Sequence, residues 1–71
     1  MSDPAPRRDL AAAERRVAQG AVRVERQAAL VEEMRCRGPV PPAADALLAA
    51  LRATLAVWQR QRDTFAGRRD R

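Results

Sequence analysis

With 71 residues and a net charge of +5, the chain has room for one small domain that hides only about 60% of its unfolded surface; one Trp, one Phe and no Tyr exclude a large aromatic core. It has no histidine and a single cysteine, which excludes Ser-His or Cys-His nucleophilic catalysis, an intrachain disulfide and a cysteine-based zinc site. All 14 basic residues are arginine, and with the abundant alanine this reads as GC-rich coding rather than a choice of guanidinium chemistry.

The opening "MSDPAPRR" carries two prolines and little to bury, so residues 1–8 are expected to form a frayed segment. No apolar stretch there resembles a secretory leader, and no window approaches the roughly 18 apolar residues of a membrane span. The cytoplasm is the expected compartment.

From Leu10 the pattern turns helical. Leu10, Ala13, Val17, Gly20 or Ala21, Val24, Gln27 or Ala28, Val31 and Met34 recur at three-and-four spacing, with Leu30 widening the stripe. This predicts a first helix over about 9–37, with Asp9 as a candidate N-cap and an alternative start near Pro6. Its end is marked by "RCRGPVPP": basic residues in the last turn, Gly38 just beyond, then prolines.

The loop is expected over 38–41. Pro42 suits the first position of a second helix, and Asp45 near that start complements the helix dipole. In the second helix, over about 42–66, Ala44, Leu47, Leu48, Leu51, Leu55, Trp58, Arg62 and Phe65 trace the inner stripe, flanked by alanines. Gly67 is expected to end it, leaving a basic tail over 67–71.

Two long helices with a short connection fold back antiparallel. The predicted fold class is therefore all-α, a two-helix hairpin able to dimerise into a four-helix bundle. The hairpin register sets Val31 and Met34 near Leu47, Leu48 and Leu51 beside the loop, and Leu10, Ala13 and Val17 near Phe65, Arg62 and Trp58 at the open end. Gly20 and Ala21 fall opposite Leu55 or Trp58. A glycine inside a helix costs about 1 kcal/mol relative to alanine, and room for a large side chain is the simplest gain to offset it.

The remaining polar residues read as surface. Glu32 and Glu33 point about 100° apart and cannot face each other as a carboxylate pair; Glu33 with Arg37 and Glu32 with Arg35 are instead helix-spaced ion pairs. Cys36 is expected to behave as a small half-buried hydrophobe. Arg16, Arg23 and Arg37 share one edge of helix 1, with Leu30 in the fourth place, and read as a flank whose stems cover apolar surface. The candidate anion or nucleic-acid contacts are Arg60, Arg62, Arg68, Arg69 and Arg71, but base-stacking aromatics and DNA-binding motifs are missing.

The segments "LAAAERRVAQGAVRVERQAALVEEMRCRG" and "AADALLAALRATLAVWQRQRDTF" resemble a group of small alphaproteobacterial proteins to which no activity is attached. The resemblance spans about residues 10–65 and rests on Ala13-Glu14, Val17, Gly20, Val24, Arg26-Gln27, Gly38, Leu47-Leu48, Leu51 and Leu55. It implies a helical hairpin and supplies no chemistry. The chain departs from the group at Arg16 and Trp58, where members often carry histidine, and at Ala21 and Arg52, where they carry acidic residues.

The expected function is a non-catalytic protein–protein contact, as a homodimer or an accessory subunit. The interface and core residues are Leu10, Val17, Gly20, Ala21, Val24, Val31, Met34, Leu47, Leu48, Leu51, Leu55, Trp58 and Phe65. A nucleic-acid-associated regulator using the arginine edges is the alternative, and peripheral membrane attachment a third reading. No cofactor, metal or small-molecule substrate is expected.

Overall fold

The computed structural model describes residues 5–69, with side chains from 7 to 67. It is an all-α antiparallel hairpin of α1 (Ala5–Arg37) and α2 (Pro42–Arg69), drawn out to 59 × 15 × 14 Å. Alanine, leucine, arginine and glutamine, all good helix formers, fill both segments.

α1 starts at Ala5, four residues before the main expected start and beside the alternative at Pro6; of the expected frayed segment over 1–8, residues 5–8 are helical and residues 1–4 lie outside the described residues. Pro6 sits in the first turn, where its missing amide costs nothing, so Asp9 lies inside the helix and is not its cap. At the other end the Gly38 N–H still closes onto the Met34 carbonyl at 3.1 Å. Gly38 then takes φ 154°, a conformation that only glycine enters cheaply, and the chain leaves the helix.

Pro41 caps the return. Its carbonyl accepts from the amides of Ala44 at 3.0 Å and Asp45 at 3.4 Å, with Pro42 as the first helical residue and Asp45 in the first turn. α2 does not stop at Gly67 but runs to Arg69. Nothing lies within 4 Å of where a Gly67 side chain would be, and one exposed glycine costs helix propensity without breaking the backbone ladder.

The core is thin, as the chain length requires. Leu10, Ala13, Val31 and Leu48 are buried; Val17, Gly20, Ala21, Val24, Met34, Leu51, Leu55, Trp58 and Phe65 are half-buried. Leu47 corrects the predicted stripe: it is 49% exposed, against 8% for Leu48. Neighbours on a helix point about 100° apart, and Leu48 takes the direction shared with Ala44, Leu51 and Leu55, turning Leu47 to the side. Leu48 is thus covered within one chain and needs no second hairpin to hide it.

A polar tie crosses the seam. The Gln27 side-chain amide donates to the Ala44 carbonyl at 3.1 Å, joining the inner face of α1 to the first turn of α2. A partly buried bond of this kind contributes about 1 kcal/mol, and it holds the loop-end register. At the open end the Gln61 Oε1 is buried without a hydrogen-bond partner among the described residues.

Candidate protein-contact surfaces

Two surfaces stand out, a groove along one side of the hairpin and the outer face of α2. The groove follows from Gly20. A Cβ built there would sit 3.1 Å from the Leu55 Cδ1 and 3.7 Å from its Cβ, so the missing side chain lets Leu55 approach the α1 backbone. The predicted pairing of Gly20 with Leu55 or Trp58 resolves to Leu55.

Beside that contact lies a cavity of about 170 Å³ lined by Arg16, Gln19, Gly20, Arg23, Leu51, Thr54, Leu55 and Trp58. The Arg16 guanidinium stands over the Trp58 ring, 5.1 Å from its centroid, within the range of a cation–π contact. The arginine edge of α1 therefore does cover apolar surface, and one of its members does so by stacking. The register that sets Gly20 beside Leu55 also makes Arg16 level with Trp58, so sequence reasoning had the signal for this pair and did not combine its parts. No carboxylate lines the groove, which makes it electropositive.

The second surface follows from composition. From residue 43 to 57 the only charged residues are Asp45 and Arg52. Ala43, Ala46, Leu47, Ala49, Ala50, Ala53, Ala56 and Val57 are all exposed, Val57 by 49%. The outer side of α1 is charged by contrast. Val22, 42% exposed, shares a shallow depression with Ala18, Gln19, Arg23 and Arg26.

The ion pairs expected from helix spacing form as Arg35 to Glu32 at 2.8 Å and Arg37 to Glu33 at 3.1 Å. They are exposed and worth a few tenths of a kcal/mol each. Cys36 departs from its expectation: it is exposed rather than half-buried. It stands two residues after the half-buried Met34, about 200° round the helix, so it faces away from the seam.

Of the candidate anion contacts, Arg62 is half-buried and donates through Nε and Nη2 to the Asp63 carboxylate at 3.1 and 3.0 Å. Arg60 is exposed, and its carbonyl accepts from the Thr64 hydroxyl at 3.0 Å. The side chains of Arg68 and Arg69, and all of Arg71, lie outside the described residues. Among the described residues no three His, Cys, Asp or Glu side chains converge as a metal site would require, and no helix is long and apolar enough to cross a membrane.

Comparison with family models, with curated proteins and with solved structures returns no match.

Proposed function

We propose that this protein acts by non-catalytic protein–protein contact through its helical faces, as a homodimer or an accessory subunit in the cytoplasm. The observation that carries the reading is the face of α2 from Ala43 to Val57, which turns alanines, a leucine and a valine outward with charge only at Asp45 and Arg52. A helix that is apolar nearly all round belongs inside an assembly. The hairpin covers one side of α2, and a partner covers the rest.

The alternative of nucleic-acid contact draws less support. The most concentrated arginines are those near the C-terminus, and Arg62 is already engaged by Asp63. Phosphate binding through these arginines would be steeply salt-dependent.

Thermal unfolding followed across a hundredfold range of protein concentration tests the proposal. A chain stabilised by association melts higher as concentration rises. A cooperative transition at one temperature throughout, with a monomer in sedimentation, overturns it.

A further inference from the structure

We infer that the partner on the outer face of α2 is a second copy of this chain, packed antiparallel with α2 against α2 and locked by reciprocal Asp45–Arg52 ion pairs. The inference rests on the reading that the protein works by protein–protein contact and specifies which face and which occupant.

The argument begins with the two charges. Asp45 and Arg52 are seven residues apart, two turns and about 10 Å along the helix, so they share an edge. Both are exposed, and among the described residues neither forms an ion pair within the hairpin. The edge lies on the opposite side of α2 from Thr54 and Trp58, which line the groove, and is clear of α1.

In a twofold pairing, residue i of one copy meets residue j of the other and j meets i. When two identical helices pair antiparallel, like edges face each other. With the axis between residues 48 and 49, Asp45 comes level with the partner's Arg52, and Arg52 with the partner's Asp45. Both charges of an otherwise uncharged face are matched by one operation. A parallel twofold pairing would put the two copies of this edge on opposite sides of the seam and leave all four charges unmatched.

The surface between the charges suits close approach. Ala46 and Ala49 lie there, and Ala53 and Ala56 continue the row beyond Arg52, all exposed; small side chains let two helices come within the short end of the usual 8–10 Å axial separation. The outer side of α1 also exposes Val22 and Leu30, but Arg15, Arg23, Glu25, Arg26, Glu32 and Glu33 break it into shorter apolar patches than the stretch of α2 from Ala43 to Val57.

Sedimentation equilibrium on the full chain, with circular dichroism to confirm helicity, tests the arrangement. The wild type should be a dimer at tens of micromolar. Ala49→Glu places a carboxylate beside the twofold axis and should leave a helical monomer, while Val22→Glu on α1 should leave the dimer intact. Arg52→Glu turns two attractions into two repulsions and should weaken association about tenfold or more. Asp45→Arg with Arg52→Glu restores opposite charges and should return the dissociation constant to within about threefold of wild type.

Should the double swap fail to fold, Ala49→Glu and Arg52→Glu decide alone, since both positions are exposed in the hairpin. A wild-type dimer indifferent to both overturns this face and leaves the broader proposal standing. A wild-type monomer with a concentration-independent melt overturns both.

Discussion

α1 and α2 share one seam and differ in how they meet water. Around α1 the inner stripe gives way on both sides to arginine and glutamate, paired at Glu32–Arg35 and Glu33–Arg37 near the loop. Around the first half of α2 the inner stripe gives way to alanine. Both sequences are good helix formers, so propensity does not separate them. What separates them is solvation: on α1 the exposed Val22 and Leu30 stand among charged residues, whereas the first half of α2 leaves a longer apolar surface uncovered. A hairpin can therefore be complete as a fold and incomplete as a surface.

The largest expected effect sharpens the difference between neighbours on α2. Leu48→Ala removes one of the few buried leucines and should cost about 2–4 kcal/mol, enough to unfold much of so small a domain. Leu47→Ala should change the stability of the isolated hairpin by less than about 0.5 kcal/mol. Equal losses in chemical denaturation would break the assignment of the inner face.

Gly20 tests the closest approach of the two helices. Gly20→Val forces a branched side chain into Leu55 and should cost about 1–3 kcal/mol. Gly20→Ala should come out near neutral: about 1 kcal/mol of helix propensity is offset by the shift of a Leu55 methyl that would stand 3.1 Å away. A full propensity gain with unchanged Trp58 emission would show that Leu55 does not press on α1.

Arg16 tests what the charged edge of α1 contributes to the seam. Arg16→Ala should cost about 0.5–1 kcal/mol and shift the emission of Trp58, the only Trp. Arg15→Ala, on the exposed side of the same helix, should leave that emission unchanged. The smallest effect belongs to the outer ion pairs, where Glu33→Gln should lower the melting temperature by no more than a degree or two in low salt and less in high salt, a few tenths of a kcal/mol at most.

Much of this architecture is legible in the residues. The loop is an instance: Gly38, Pro41 and Pro42 act through their own backbone restrictions, and the chain turns where they stand. The pairing of Glu33 with Arg37 is another, because four residues on a helix are one turn whatever else the protein does. Gly20 was readable as a close approach because a mid-helix glycine needs a compensating contact. Cys36 and Leu47 were misread for one reason: each sits at the margin of an apolar stripe, where spacing alone cannot tell a half-buried position from an open one.

The sequence by itself determined that there are two helices, where the chain reverses and which pairs form along α1, because these depend on interactions no more than four residues apart. The short loop already set the approximate register, and tertiary structure alone decided the rotation of each helix about its axis and which of the facing side chains touch. That choice buries Leu48 and exposes Leu47, brings Gln27 to the Ala44 carbonyl, and lays Arg16 across Trp58. The physical reason is that a helix carries its periodicity in its own bonds, whereas its phase against a neighbour is set by packing between side chains far apart in the chain.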